Sequence, residues 1–219
     1  MLPLAAVSAK TLSFPAVKVT ALVAVTALCI DNAINRACLQ RDGLTDPLTG
    51  VANRRFFERR MQEEVSLWQR HGGQLACLLT DLDHFKQIND HYGHEAGDAV
   101  LQHVASLLSE GLRASDVLAR CGGEEFALLL PATSLQRAQE IAERLRVRVN
   151  QSRSGNRPAV TISIGVATLQ PAQRGRLEDP RAWLLRRADE MLYRAKAQGR
   201  DCVVVDSAGS VATTAPTLS

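Results

Sequence analysis

The chain has 219 residues, of which 46% are hydrophobic and 22% charged, an ordinary balance for one globular domain with a short additional segment. Its net charge of +3 is too small to indicate binding to nucleic acid or to an anionic membrane surface. The five cysteines form no CxxC pair, which argues against a zinc site. Cys77 and Cys202 lie in apolar runs and are predicted to be core residues of a reduced cytosolic protein.

The N-terminal part of the chain is apolar and can be interpreted in more than one way. Residues 11–30 contain one charge, Lys18, and one helix breaker, Pro15. A membrane-spanning helix needs roughly 20 apolar residues, and a central lysine costs about 2.5–3.5 kcal/mol on insertion. Residues 1–43 are therefore predicted to form an apolar helix and a linker (31–43), either as a membrane anchor or as a helix that packs on a partner and favours dimerisation. A cleaved signal peptide is disfavoured because no small-residue cleavage site follows. The expected location is cytoplasmic, free or tethered to the inner face of the cell membrane.

Residues 44–205 alternate between helical and strand patterns and are predicted to form one domain. Helices are predicted at residues 54–69, 97–112, 134–149 and 181–198, the first and third capped by Asn53 and Ser134. Strands are predicted at residues 74–81, 117–120, 126–130, 159–169 and 202–205, the second and third forming a hairpin. This order indicates an α/β fold, an α+β sandwich with a central mixed β-sheet and helices on both faces. Residues 206–219 are rich in Ser, Thr, Ala and Pro and are predicted to be a disordered tail.

Acidic side chains stand at the ends of two predicted strands. Gly122 and Gly123 allow a tight turn, and Glu124 and Glu125 follow them directly. Asp81 ends another predicted strand, so that neighbouring strands would bring these carboxylates to one cation. Magnesium usually binds through one or two carboxylates together with substrate phosphates. The pattern predicts a nucleotide–metal site, and three acids in this arrangement disfavour the alternative of solvated strand ends.

Polar residues between residues 85 and 98 suit recognition of a nucleotide. The Asp98 carboxylate can accept hydrogen bonds from N1–H and N2–H of guanine, and the Asn89 amide can hydrogen-bond the other polar groups on the edge of the base. Adenine lacks that donor pair, so such a site would reject it. Two alternatives stay open from the residues alone: Asp98 caps the following helix, and Lys86 is an ordinary exposed lysine rather than a phosphate ligand.

Basic residues at two further places have both a functional and an ordinary interpretation. Lys196 and Arg200 can bind polyphosphate, or can complement the dipole at a helix C-terminus. Arg113 and Asp116 can bind phosphate and a guanine edge, or can belong to an exposed turn, which is favoured from the residues alone.

Together these residues resemble the GGDEF family of diguanylate cyclases. The resemblance covers residues 46–201 and rests on many motifs in order. They are Asp46-Pro-Leu-Thr-Gly, Asn53-Arg-Arg, Asp81-Leu-Asp83-His-Phe85-Lys86, Asn89-Asp90, Gly93-His94, Gly97-Asp98, Arg120, Gly122-Gly-Glu-Glu-Phe126, Ser163-Ile-Gly165-Val-Ala167, Ala195-Lys196 and Gly199-Arg200.

The resemblance implies a palm-like fold shared with nucleotide cyclases and polymerases, and a homodimer that condenses two GTP into cyclic di-GMP and two pyrophosphates. By this resemblance, Mg²⁺ (or Mn²⁺) binding and catalysis would depend on Asp81, the Leu82 carbonyl, Glu124 and Glu125. Guanine would be bound by Asn89 and Asp98, and the rest of the substrate by Phe85, Lys86, Gly122, Gly123, Lys196 and Arg200. Inhibitory binding of the product would involve Arg113, Asp116 and Arg144. The proposed chemistry is attack of the 3′-hydroxyl of one GTP on the α-phosphate of the other, which forms a phosphodiester bond and releases pyrophosphate.

Two residues depart from the family pattern, and three other functions compete with the cyclase. Cys121 stands where an aromatic residue is usual, and we predict that an exposed thiol there would be sensitive to oxidation. Asp201 stands where asparagine is common. The alternatives are a non-catalytic sensor of cyclic di-GMP, a GTP hydrolase or single-nucleotide cyclase, and a structural partner domain. The intact glycines and acids at residues 122–125 weigh against the first and the last.

Overall fold

A computed structural model describes residues 43–152 and 158–206. The helices are α1 (Arg54–His71), α2 (Phe85–Tyr92), α3 (His94–Ser109), α4 (Leu135–Gln151) and α5 (Pro180–Ala197). The strands are β1 (Ala52–Asn53), β2 (Leu75–Leu82), β3 (Val117–Arg120), β4 (Glu125–Pro131), β5 (Ile162–Leu169) and β6 (Val203–Val205), and a 3₁₀ turn covers Pro171–Gln173. The predictions for residues 1–42 and for the tail from residue 207 onward lie outside the described residues.

The six strands form one mixed sheet in the order β1-β3-β4-β2-β5-β6. The four inner strands pair with one another in antiparallel, whereas the edge strands β1 and β6 pair in parallel with β3 and β5. The predicted hairpin is β3–β4, with Arg120 opposite Phe126. Helices cover both faces of the sheet, which confirms the predicted α+β sandwich.

The alternation of side chains along the inner strands divides the core into two layers. In β4, Phe126, Leu128 and Leu130 pack with α2, α3 and α4, whereas Ala127 and Leu129 pack with α1 and α5. Asp81 has the same parity as Leu75 and Cys77, whose layer contains α1 and α5. The strand period therefore places Asp81 on the sheet face that α5 covers.

Glycine at position 165 allows α5 to approach β5 closely. A Cβ built there would lie 2.1 Å from the Leu192 backbone nitrogen and 2.2 Å from the Ala188 carbonyl oxygen. Those atoms belong to the helix backbone and cannot rotate away. The absence of a side chain at this one position thus sets the distance between α5, which carries Lys196, and the sheet.

The helix caps were predicted correctly, but several boundaries were not. Asn53 accepts a hydrogen bond from the Phe56 N–H (3.1 Å) and Ser134 accepts one from the Arg137 N–H (3.2 Å). The third described helix begins at His94 instead of residue 97, and α2 was not predicted at all. Asp206 was assigned to the tail, but it is buried and pairs with Arg187, so the ordered domain includes it.

No described helix is long and apolar enough to cross a bilayer.

Candidate functional site

The acidic residues meet at the end of the two central strands. Asp81 of β2 is directly opposite Glu125 of β4 in the antiparallel register. The Leu82 N–H donates to the Glu124 carbonyl at 3.2 Å, which holds Glu124 beside the end of β2. Neighbouring strand ends therefore bring together the residues predicted for the metal site.

A basic side chain already contacts this cluster. The Lys196 ammonium, on the last turn of α5, lies 2.7 Å from Oδ2 of Asp81. Burial raises the pKa of Asp81 and that of Glu124; the charges of Glu125 and Asp83 raise the pKa of Asp81 further, and those of Asp81 and Glu125 raise the pKa of Glu124 further. The positive charge of Lys196 acts to lower the pKa of both carboxyl groups. The cluster thus concentrates negative charge, which Lys196 offsets in part.

The donor set suits a divalent cation that shares its coordination with a substrate. An ammonium group at hydrogen-bond distance from Asp81 shows that a cation fits against that carboxylate. Within residues 43–152 and 158–206, no three acidic, His or Cys side chains converge closely enough to enclose a metal by themselves. Asp81, Glu124 and the Leu82 carbonyl would supply only part of a shell, which is the usual situation when magnesium takes its other oxygens from phosphates and water.

The Gly-Gly turn is held in place by Arg120. Its guanidinium donates to the Gly123 carbonyl (2.7 Å) and to the Asp46 carboxylate (3.2 Å), while Cys121 N–H donates to the Glu125 carbonyl (2.9 Å). A Cβ at Gly122 would lie 2.4 Å from the Glu125 carboxylate, so glycine at this position makes room for that acid. Both Gly123 and Glu125 are exposed.

Cys121 lies in the same turn and is half-buried. Burial raises the pKa of its thiol to about 12. Because the thiolate is the reactive form, this opposes the predicted sensitivity to oxidation. Cys77 is buried as predicted, whereas Cys202 is only half-buried.

The candidate guanine-binding residues lie on α2 and α3. Asn89 is on α2, and a Cβ at Gly97 would lie 1.9 Å from its Oδ1, so Gly97 provides the space for the Asn89 side chain. Asp98 is exposed inside α3, four residues past its first residue, and the helix has Gly93 as its N-cap. The alternative in which Asp98 caps the helix is therefore wrong. Lys86 is exposed on α2, and Phe85 is buried beneath it.

The phosphate-binding candidates lie at the end of α5. Lys196 is in its last turn, and Arg200 is exposed just past it in a left-handed conformation, with φ of 68°. The Arg200 N–H donates to the Ala195 carbonyl at 3.1 Å. This turn brings the Arg200 backbone against Ala195, the neighbour of the lysine that contacts Asp81.

The candidate inhibitory residues lie on separate elements. Arg113 and Asp116 form a tight turn before β3, in which Asp116 accepts the Arg113 N–H (2.8 Å) and donates its own N–H to the Arg113 carbonyl (3.0 Å). The Arg113 side chain is exposed. Arg144 is exposed on α4 and lines a groove of about 420 Å³ with Leu107 and Arg148. Arg113 and Asp116 thus form the exposed turn that the ordinary interpretation predicted. The guanidinium groups of Arg113 and Arg144 are exposed, so binding of phosphate or a guanine edge stays a prediction.

Two features were missed by sequence reasoning. Helix α2 carries Phe85, Ile88, Asn89 and Tyr92 at spacings of three and four, a signal that was available but was obscured by the two glycines that follow the helix, Gly93 and Gly97. Asp83 accepts hydrogen bonds from residues about eighty positions away, and no local pattern could have indicated them.

The fold and the site together define the class of protein. An antiparallel sheet centre with carboxylates at adjacent strand ends, and helices over both faces, is the palm-like arrangement of nucleotide cyclases and polymerases.

Comparisons with known proteins identify the family. Residues 43–202 match the family model for "Diguanylate cyclase, GGDEF domain". The chain is 42% identical over 165 residues to diguanylate cyclase DgcP of Pseudomonas aeruginosa, covering 74% of this chain and 24% of that protein. It is 43% identical over 166 residues to response regulator PleD of Caulobacter vibrioides, covering 74% of this chain and 36% of PleD. The chain thus spans about a quarter to about a third of these relatives.

Solved structures agree with this result. The GGDEF domain of DgcB from Caulobacter crescentus, in complex with c-di-GMP, superposes with a TM-score of 0.67 at 32% identity, covering 74% of this chain and 93% of that one. Diguanylate cyclase SiaD of Pseudomonas aeruginosa, in complex with its activator SiaC, gives 0.70 at 36% identity, with 87% and 72% covered. The chain belongs to the GGDEF family.

Proposed function

We propose that this protein is a diguanylate cyclase that condenses two GTP into cyclic di-GMP and two pyrophosphates. The single observation that carries the proposal is the meeting of Asp81, Glu124 and Glu125 across β2 and β4, with Lys196 against Asp81. Intact acids and glycines at residues 122–125 favour catalysis over a purely receptor role. The relatives named above support the same activity.

We assign each group a role from its position. Asp81, Glu124 and the Leu82 carbonyl would hold Mg²⁺ or Mn²⁺, which supplies positive charge at the α-phosphate and eases loss of the 3′-hydroxyl proton. Glu125, which is exposed, would add a ligand or accept that proton. Asn89 and Asp98 would read guanine, and Lys86, Lys196 and Arg200 would hold the triphosphate.

We propose that two copies of the chain form the active site. Asp98, Gly123, Glu125 and Arg200 are all exposed, so the site is an open surface on one chain. Each subunit would hold one GTP, and a two-fold arrangement would present each 3′-hydroxyl to the other α-phosphate. Activity should then rise more steeply than linearly with protein concentration; strict proportionality through the dimerisation range would contradict the homodimer.

We propose that cyclic di-GMP also binds at Arg113, Asp116 and Arg144 and inhibits the enzyme. Exposed guanidinium groups can bind phosphate or the edge of guanine. Arg113→Ala should relieve inhibition by added product and leave the initial rate unchanged.

The activity is tested by incubating the full chain with GTP and Mg²⁺ and identifying the products by mass spectrometry. We expect one cyclic di-GMP and two pyrophosphates for every two GTP consumed. Release of GDP or of a single-nucleotide cyclic product would identify a hydrolase or a simple cyclase instead. Absence of product, together with binding of cyclic di-GMP, would support the receptor alternative.

When GTP binds, we expect Lys196 to leave the Asp81 carboxylate and to pair with a phosphate of the substrate. Its ammonium lies against the Asp81 carboxylate, so it should compete with a metal ion there. Lys196→Met should strengthen Mn²⁺ binding without nucleotide by up to about fivefold, the upper range for a partly exposed ion pair, and should weaken GTP binding. Titration of Mn²⁺ by electron paramagnetic resonance measures the first effect.

The control for this substitution is Arg194→Met, which removes the same charge from an exposed position on the same helix. It should leave Mn²⁺ affinity unchanged. Equal effects of the two variants would mean that only net charge matters, and would contradict the exchange.

Gly97→Ala should impair recognition of guanine without unfolding the domain. The added Cβ would overlap the end of the Asn89 side chain, which can rotate away, so the fold survives but the amide is displaced. The KM for GTP should rise about tenfold, as for loss of one well-formed hydrogen bond to the substrate. Ser106→Ala, at an exposed position on the same helix, is the control; an unchanged KM in Gly97→Ala would remove Asn89 from the site.

A further inference from the structure

Asp83 stands two residues after Asp81 but has partners of its own. The residue is buried, with 4% of its surface exposed. Its Oδ1 accepts the Ser163 hydroxyl at 2.6 Å, and its Oδ2 accepts the Thr161 hydroxyl at 2.7 Å. A third donor, the Asp201 N–H, lies 3.0 Å from Oδ2. Because buried carboxylates persist where their oxygens are satisfied, these three donors account for Asp83 without any cation.

The third donor comes from a turn whose backbone is unfavourable for most residues. Gly199, Arg200 and Asp201 have φ values of 111°, 68° and 44°. Residues with a Cβ avoid this region, and such a backbone is stable only where the surrounding contacts determine it. The Asp83 carboxylate is one of those contacts, since it binds the N–H of the last residue of the turn.

The Asp201 side chain provides a second anchor for the same turn. Its Oδ1 accepts from the Arg146 guanidinium at 2.6 Å, and its Oδ2 accepts from the Asn150 amide at 2.5 Å. Arg146 is largely shielded, with 18% of its side chain exposed. Asp201 thus joins α4 to the turn by its side chain and β2 to the turn by its backbone.

We propose that Asp83 and Asp201 are positioning residues that hold Arg200 beside Lys196 and so pre-form the phosphate-binding pair; this rests on the proposed GTP function. Strand β2 carries Asp81 and leads directly into Asp83. Asp81 belongs to the acidic cluster, and Asp83, two positions later, fixes the turn that carries Arg200. Asp83 acts through the turn and does not bind metal. Asp201, which differs from the family's usual asparagine, adds an ion pair to Arg146 that an amide cannot form.

The first test measures hydrogen exchange in the full, nucleotide-free chain. Asp83→Ala should increase amide exchange at residues 199–202 by about tenfold, as expected when one hydrogen bond to a charged group is lost, and should leave β4 protected. Asp83→Asn should rescue this effect. Its amide oxygen can accept from the Asp201 N–H while the Ser163 hydroxyl turns to accept from the amide nitrogen.

The second test separates positioning from metal binding. In Asp83→Ala the KM for GTP should rise about tenfold with a smaller change in kcat, and Asp83→Asn should restore it. Mn²⁺ affinity in the absence of nucleotide should be unchanged in Asp83→Asn, whereas Asp81→Asn should lose it. Loss of Mn²⁺ binding in Asp83→Asn would make Asp83 a metal ligand and overturn the proposal.

The second anchor keeps the proposal testable if Asp83→Ala does not fold. Asp201→Gly keeps the left-handed backbone available but removes both side-chain contacts, and Arg146→Met removes the ion pair from the other side. Each should raise exchange at residues 199–202 and the KM for GTP, and the double variant should add little to either. Unchanged exchange in all variants would overturn the proposal, even if GTP turnover failed for another reason, because exchange is measured without nucleotide.

Discussion

Replacing Glu124 by Gln is expected to lower kcat for cyclic di-GMP synthesis by about a thousandfold or more. The amide keeps the size of the side chain but removes the negative charge that would bind the cation next to Asp81. Loss of one charged group at a site of phosphoryl transfer has an effect of this order because the developing charge is no longer offset. The measurement is initial rate at saturating GTP, with product identified by mass spectrometry.

The control is Glu140→Gln, which removes one carboxylate from the exposed surface of α4, where it pairs with Arg137. That variant should retain full activity. A rate in Glu124→Gln within a few-fold of the parent would exclude Glu124 from the metal site.

The same substitution should raise the melting temperature. The pKa of Glu124 and the pKa of Asp81 are raised in the folded protein, chiefly by burial. A raised pKa in the folded state favours folding in acid, and that contribution is lost as pH rises through the raised value. At neutral pH the cluster therefore opposes folding, and removing one charge relieves it. A higher Tm in Glu124→Gln, measured without metal, would also show that its inactivity does not come from misfolding.

Gly165→Ala is expected to destabilise the domain by about 3 kcal/mol or more, the upper range for overpacking a core. The new Cβ would approach backbone atoms of Ala188 and Leu192 to 2.1–2.2 Å, so α5 must move away from the sheet. Because Lys196 lies on that helix, its contact with Asp81 would be lost as well. Urea unfolding measures the change in the free energy of unfolding.

Gly123→Ala is the matched control for stability. It also adds one methyl group, but no atom lies within 4 Å of the new Cβ, and the backbone φ is not positive. The free energy of unfolding should be almost unchanged. If Gly165→Ala is equally neutral, the close packing of α5 on β5 is not what fixes the distance between Lys196 and the acidic strands.

Much of the fold could be predicted because its signals are local. Asn53 and Ser134 are followed by apolar residues at helical spacing, and the apolar runs of β2 and β4 are long enough to be buried strands. Helix α2 was missed because glycines and polar residues around it suggested a loop. The start of α3 was displaced for the same reason, since Gly97 within the helix was taken as its boundary.

The sequence by itself determined which residues carry chemistry: paired acids after two glycines, an aspartate at a strand end, and basic residues at the end of the last helix. Motif spacing is enough for this because each feature lies within a few positions of a strand or helix end. Tertiary structure alone decided how these groups are joined. The contact of Lys196 with Asp81 requires α5 to pack closely on the sheet at Gly165, and Asp83 meets Thr161, Ser163 and Asp201 only after β2, β5 and the last turn come together. These contacts connect residues far apart in the chain, and their geometry depends on side-chain packing that no local pattern encodes.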